Sequence, residues 1–85
     1  MAKTYVIRNT RSRTGNSTLT RPMTIAEAVE YYGYTLRVGA SWEREKGNKK
    51  INCNPKTIAS LITNLNNAVD NAAANGYAGE TYAVE

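Results

Sequence analysis

The 85-residue chain contains few side chains that could carry out covalent or acid–base chemistry. It has one cysteine, Cys53, and no histidine. A cysteine needs a neighbouring base or positive charge to become a nucleophilic thiolate, and serine nucleophiles most often take their base from histidine. Zinc sites also depend on histidine and cysteine ligands. The composition therefore argues against nucleophilic catalysis, and we expect a protein that is not an enzyme.

Motifs for metals and nucleotide cofactors are also missing from the sequence. Asp70 is the single aspartate, so no stretch has the carboxylate spacing of a calcium or magnesium loop. The six glycines never form a GxGxxG or GxxxxGK[ST] pattern, which are the spacings that cradle phosphates. We therefore predict no cofactor and no metal site.

Positive charge is concentrated in the N-terminal quarter of the chain. The formal net charge is +4, and residues 1–21 contain five basic residues and no acidic one. A cationic segment attracts polyanions such as nucleic acid or an acidic protein surface. A net charge of this size also serves solubility in many small domains, so both interpretations stay open.

The basic residues fall in or beside two predicted hairpins, and a hairpin tip can enter a groove and contact phosphates. The predicted site for nucleic acid or an acidic partner comprises Arg8, Arg11, Arg13, Arg21, Arg44, Lys46, Lys49 and Lys50. In the second hairpin, Glu43 and Glu45 could neutralise this charge. Its lysines would then serve to protect a sheet edge from aggregation.

A cluster of tyrosines follows the first predicted helix. Tyr32 belongs to the apolar stripe of that helix, whereas Tyr31 and Tyr34 are free to face a protein partner. Tyrosine is favoured in interfaces because it offers a large contact area at a low cost in side-chain entropy. The alternative is that these rings fill the core, since the chain has no phenylalanine.

The N-terminal half predicts a hairpin followed by a helix. Residues 4–9 alternate as a strand, Gly15 and Asn16 form a turn, and residues 17–21 are rich in β-branched threonine. Thr24 and Glu27 have the spacing of a capping box, which predicts that a helix begins there. We expect this helix to end at Gly33.

The C-terminal half predicts a strand, a second hairpin, a long helix and a last strand. Residues 34–38 alternate as a strand, and residues 42–46 and 49–53 flank a turn at Gly47 and Asn48. Asn54 and Pro55 are suited to begin a helix, whose apolar residues recur at helical spacing as far as Ala72. Residues 80–84 complete the pattern.

The predicted fold is therefore a single α+β domain over residues 1–85 with the order β-β-α-β-β-α-β. Two helices should cover one face of a mainly antiparallel sheet. The sequence has neither a membrane-spanning apolar run nor a signal-peptide pattern, so we expect no membrane partner and a cytoplasmic location. An unpaired strand edge could join a second copy, so a homo-oligomer stays open.

These features predict a small non-enzymatic binding module whose partner is nucleic acid, which we slightly favour, or a host protein or nucleoprotein complex. A short, motif-free chain rich in asparagine and threonine resembles, in general character, the accessory proteins of bacteriophages. These include anti-defence inhibitors such as anti-CRISPR proteins. That resemblance implies an inhibitor or adaptor directed at a protein, and it assigns no role to any residue.

Overall fold

Three strands and three helices make up the described part of the chain. The computed structural model describes residues 3–11, 14–42, 48–74, 76 and 80–85. The elements follow the order β1 (Ile7–Arg11), β2 (Ser17–Leu19), α1 (Ile25–Tyr31), α2 (Gly33–Ser41), α3 (Ile58–Ala74) and β3 (Glu80–Val84). The strands form one antiparallel sheet in the order β2-β1-β3. The α+β class is thus confirmed, whereas the predicted order of strands and helices is wrong.

The predicted first hairpin is present, and β1 becomes the central strand of the sheet. Gly15 adopts a positive φ of 74° at the turn, a conformation that glycine reaches without steric cost. Its amide donates to the carbonyl of Arg11, and the Arg11 amide donates to Asn16. On its other side β1 pairs with β3, so the two ends of the described chain meet in one sheet.

Helix α3 covers one face of this sheet. Ile7 and Tyr82 point to that face and are buried, whereas Arg8, Leu19 and Ala83 point to the opposite face and are exposed. This alternation follows from the two-residue period of a strand. Helix α3 packs against β3, and α2 packs against α3.

Helix α1 begins where the capping box predicts. The Glu27 amide donates to Thr24 Oγ1 at 3.2 Å, and the Thr24 amide donates to Glu27 Oε1 at 2.9 Å. These bonds satisfy two amides that a helix N-terminus would otherwise leave unpaired. The start of α1 could be predicted because every group involved lies within four residues.

The strand predicted over residues 34–38 is wrong, because these residues belong to helix α2. Tyr32, Leu36 and Gly39 are the buried positions, and their spacing is that of one helix face. The β-branched and aromatic residues of this segment also alternate, and such alternation predicts a strand. Packing against α3 overrides this weak local preference. Gly33 is the first residue of α2 and does not take the left-handed conformation expected of a helix end.

The second predicted hairpin is not present within the described residues. Residues 43–46 of its first arm and Gly47 of its turn lie outside them, and Trp42 is the C-cap of α2. No strand is assigned in the second arm, residues 49–53. Asparagine side chains of α3 bind this segment through its backbone. The Lys49 amide donates to Asn71 Oδ1 at 2.8 Å, and Asn71 Nδ2 donates to the Lys49 carbonyl at 2.8 Å. The Asn52 amide donates to Asn64 Oδ1 at 2.7 Å.

Helix α3 begins later than predicted and also binds the edge of β3. Its start is Ile58, with the Ser60 amide donating to Thr57 Oγ1, so Asn54 is not the cap. Asn66 accepts a hydrogen bond from the Tyr82 amide at 2.8 Å and donates one to the Tyr82 carbonyl at 3.1 Å. The Asn66 side chain therefore occupies the place that a further strand would take.

Helices α2 and α3 touch at their backbones. A Cβ atom added to Gly39 would lie 2.2 Å from Ala68 Cβ and 2.6 Å from Ala68 Cα, which is too close for any side chain. Beside this contact, the buried Asn71 donates from Nδ2 to the Gly39 carbonyl at 3.2 Å. A glycine at position 39 is thus required by packing, and its φ is not in the left-handed region.

We predict that Gly39→Ala destabilises the protein by about 1–3 kcal/mol or more, because α2 and α3 must separate to admit the methyl group. Gly33→Ala is the matched control in the same helix, since its nearest atom, Arg37 Nη1, lies at an ordinary 3.5 Å. That control should be neutral or stabilising by about 0.4–1 kcal/mol. Urea unfolding followed by circular dichroism measures both, and equal stabilities would contradict the close contact.

We also predict that Asn71→Ala lowers the free energy of unfolding by about 2–4 kcal/mol, because it leaves the Lys49 and Gly39 backbone groups without their partner. Asn67→Ala on the same helix is the control. The Asn67 side chain makes no hydrogen bond within the described ranges, and its replacement should cost under about 0.5 kcal/mol. Chemical unfolding of the two variants makes the comparison, and a similar loss in both would be inconsistent with a clamp at Asn71.

Candidate functional site

Most of the described basic candidates lie close to a carboxylate. The pairs are Arg8 with Glu85 at 2.5 Å, Arg11 with Glu80 at 3.7 Å, Arg21 with Glu27 at 3.7 Å and Lys49 with Asp70 at 2.7 Å. Lys50 is exposed and has no such pair within the described residues. The remaining candidates, Arg13, Arg44 and Lys46, lie outside the described residues.

The structure does not gather the described basic candidates on one surface. Arg8 and Arg11 project from opposite faces of β1, because they are three residues apart and successive side chains of a strand alternate between its faces. Arg21 precedes α1, and Lys49 lies beside the last turns of α3. Each of these four residues faces its own carboxylate, so their positive charge is divided among separate pairs.

The pairs of Arg11 and Arg21 are loose. Their side chains are 71% and 69% exposed, and a solvated ion pair of this kind contributes about 0–1 kcal/mol. Hydrogen bonds from Thr24, together with the smaller influence of Arg21, hold the pKa of Glu27 below its usual range. Such pairs reduce the local positive potential without locking the arginine side chains in place.

Tyr31 and Tyr34 lie at the surface, where the sequence analysis places them. They are 64% and 74% exposed, the highest values among the large hydrophobic side chains of the described residues. They flank the junction of α1 and α2, which is not the helix-to-strand junction predicted. Because both rings are largely in water, the core-filling alternative does not apply to them.

A series of edge-to-face ring contacts connects this surface with the sheet. The centroids of Tyr31 and Tyr32 are 4.8 Å apart at 81°, and those of Tyr32 and Tyr82 are 5.5 Å apart at 79°. Aromatic pairs in this geometry stabilise a structure by about 0.5–1.5 kcal/mol beyond their buried area. The exposed Tyr31 therefore rests on a ring that is itself fixed against β3.

A cleft of about 190 Å³ lies beside these rings, between α2, α3 and β3. We call it the tyrosine cleft. Its lining includes Tyr34 and Gly39 from α2, Ala68 from α3, and Glu80 and Tyr82 from β3. The small residues of the helix contact leave the space open, and Tyr34, which is mostly exposed, forms its rim.

Glu80 is the charged group of the tyrosine cleft, and its side chain is 30% exposed. Tyr82 donates from its hydroxyl to Glu80 Oε2 at 3.1 Å, and Asn9 Nδ2 lies 3.4 Å from the same oxygen. The other oxygen, Oε1, lies 3.7 Å from Arg11 Nε. Sequence reasoning missed both Glu80 and Tyr82, because only the pairing of β1 with β3 brings these groups together.

The environment of the buried tyrosines disfavours their ionisation. Burial raises the pKa of Tyr32 to about 12, with smaller contributions from Tyr31 and the Glu80 carboxylate. Burial also raises the pKa of Tyr82 well above its usual value, and the nearby Glu80 adds to this effect. Both phenols are therefore neutral hydrogen-bonding groups at ordinary pH.

Neither a metal cluster nor a membrane helix is found in the parts of the chain that the structure describes. Within residues 3–11, 14–42, 48–74, 76 and 80–85, no three histidine, cysteine or acidic side chains lie close enough together to hold a metal ion. None of the helices in these ranges combines the length and apolarity that a bilayer crossing requires.

Comparisons with known proteins leave the chain without relatives from which a function could be taken. It matches no family model, no curated protein and no solved structure.

We predict that stability falls as the pH rises between about 10 and 12. A tyrosine with a folded-state pKa above its unfolded value of 10 stabilises the fold below pH 10, and this contribution is lost as the phenol ionises. Tyr32→Phe should make the loss shallower, whereas Tyr34→Phe, at an exposed position, should not. Urea unfolding across this pH range measures the slope, and identical slopes in both variants would contradict the prediction.

Proposed function

We propose that the protein is a non-enzymatic, cytoplasmic binding protein that acts as an inhibitor or adaptor by docking on another protein through the tyrosine cleft and its rim. One observation carries the proposal. The two most exposed large hydrophobic side chains described, Tyr31 and Tyr34, flank one helix junction, and Tyr34 also lines the cleft. Exposed rings beside a cleft are typical of the central part of a protein interface.

The packing behind the rings also supports a protein partner. Tyr31 rests edge-on against Tyr32, which in turn rests against Tyr82 in β3. Rings held by the core lose little conformational freedom when a partner binds, which improves affinity. The site is thus formed in the free protein.

Nucleic acid is a second candidate, and the exposure of Arg11 and Arg21 is what favours it. Their loose pairs could exchange a carboxylate for a phosphate at little cost. The division of the described basic residues among separate carboxylates argues against a nucleic-acid partner. We therefore place nucleic acid after a protein partner.

Site-specific photo-cross-linking tests the protein-directed proposal. A benzophenone amino acid at position 34 should cross-link one discrete protein in a lysate of the cells where the protein acts. The same group at Thr63, an exposed position of α3 outside the tyrosine cleft, is the control and should not. Tyr31→Ala should reduce the cross-link from position 34. Equal products from positions 34 and 63 would contradict a site at the tyrosines.

Nuclease treatment and salt separate the two candidates. We expect the cross-linked partner to persist after digestion of DNA and RNA, and not to be weakened by the double substitution Arg11→Ala and Arg21→Ala. Binding of purified protein to mixed-sequence DNA and RNA should be absent or weak at moderate salt. If binding is instead strong, falls steeply with salt and is lost in the arginine variant, nucleic acid is the partner.

A further inference from the structure

We propose that the tyrosine cleft receives a lysine or arginine side chain of the partner protein, with Glu80 as its charge partner and the rings of Tyr34 and Tyr82 beside it. This inference depends on the proposed function and adds the chemical class of the group that is bound. It is argued from the size, the lining and the hydrogen-bonding capacity of the cleft.

The cleft has the size of one side chain. Its volume of about 190 Å³ is below the range of roughly 300–1,000 Å³ usual for pockets that enclose a cofactor or drug-sized molecule. Gly39, Ala68 and Ala72 contribute only backbone and methyl groups to its lining. Such a surface suits the aliphatic stem of a long side chain, which lysine and arginine both possess.

The polar groups at the cleft specify a positive charge. An ionised carboxylate can accept about four hydrogen bonds, and Glu80 receives two from protein groups, both on Oε2. Among the described residues, Oε1 faces only Arg11 Nε at 3.7 Å, which is beyond hydrogen-bond distance. Acceptors thus exceed donors around Glu80, and an ammonium or guanidinium group brings donors alone.

The aromatic lining supports the same ligand class. A cation close to a tyrosine ring is attracted by the negative face of the ring, and cages of aromatic rings bind ammonium groups in this way. A neutral apolar group would remove water from Glu80 without compensating its charge, and an anion would be repelled. A positively charged side chain is therefore the one occupant that both Glu80 and the rings favour.

Arg11 of the same chain should compete with the partner's cationic side chain for Glu80. Its guanidinium is 71% exposed and is not part of the cleft lining. Removing it with Arg11→Ala frees Glu80 Oε1 and should strengthen binding of an external cation by about two- to threefold. A nucleic-acid site at the same arginine would respond in the opposite direction, with weaker binding.

The test is an NMR titration of the full chain with n-butylammonium and n-propylguanidinium, with n-butanol as the neutral control. We expect saturable, millimolar shifts of the Tyr34, Ala68 and Tyr82 amides with the cations and none with the alcohol. Glu80→Gln should weaken cation binding by about three- to tenfold. Glu30→Gln, at an exposed glutamate of α1 outside the cleft, should not change it.

Several results would overturn the inference. These are equal shifts with n-butanol, unchanged binding in Glu80→Gln, or weaker binding in Arg11→Ala. The comparison of cation with alcohol needs only the wild-type protein, so it stands even if Glu80→Gln fails to fold. Shifts at the same amides that grow with protein concentration, without added ligand, would identify a second copy as the occupant and contradict a separate partner.

The inference and the proposed function can fail separately. A cross-link from position 34 without cation binding would leave the protein-directed function and remove the lysine or arginine ligand. Cation binding without a cross-link from position 34 would leave the cleft chemistry and remove the docking surface at the tyrosines.

Discussion

The contact between Gly39 and Ala68 determines how the rest of the structure is arranged. It allows α2 and α3 to approach until their backbones touch, which a side chain at position 39 would prevent. The same two residues line the tyrosine cleft, and Asn71 bonds the Gly39 carbonyl beside them. The packing that stabilises the fold therefore also shapes the candidate site.

Asparagine side chains in this protein form hydrogen bonds with backbone groups that a neighbouring strand would usually form. Asn66 pairs with both backbone groups of Tyr82, and Asn71 pairs with both backbone groups of Lys49. An amide side chain carries one acceptor and two donors, so it can copy the pairing of a neighbouring strand. In the case of Tyr82, the bonds cover the outer edge of β3 and reduce its tendency to pair with other chains. The polar face of α3 is thus partly occupied by hydrogen bonds within the fold.

The sequence predicts what depends on neighbouring residues and fails where distant ones decide. Thr24 and Glu27 predict the start of α1 correctly, as Gly15 and Asn16 predict the first turn. Residues 34–38 have the composition of a strand but belong to helix α2. The helix is favoured by packing of α2 against Ala68, which lies some thirty positions further along the chain. Tyr31 could be selected because helix periodicity assigns its neighbour Tyr32 to the apolar stripe. The exposure of Tyr34 is found on a helix, α2, that the sequence does not predict. Glu80 could not be selected, since its role depends on the pairing of the first and last strands.

The distribution of charge explains why a positive chain can carry a site for a positive ligand. The excess of basic residues is real, but Arg8, Arg21 and Lys49 each face a carboxylate away from the tyrosine cleft. Net charge governs long-range attraction, whereas recognition at contact distance depends on the few groups that line the site. Among the described residues that line the cleft, those groups are the Glu80 carboxylate and the phenols of Tyr34 and Tyr82. Burial keeps Tyr82 protonated, and Arg11, which lies 3.7 Å from Glu80 Oε1, is not part of the lining. The sign of the net charge therefore does not predict the sign of the ligand.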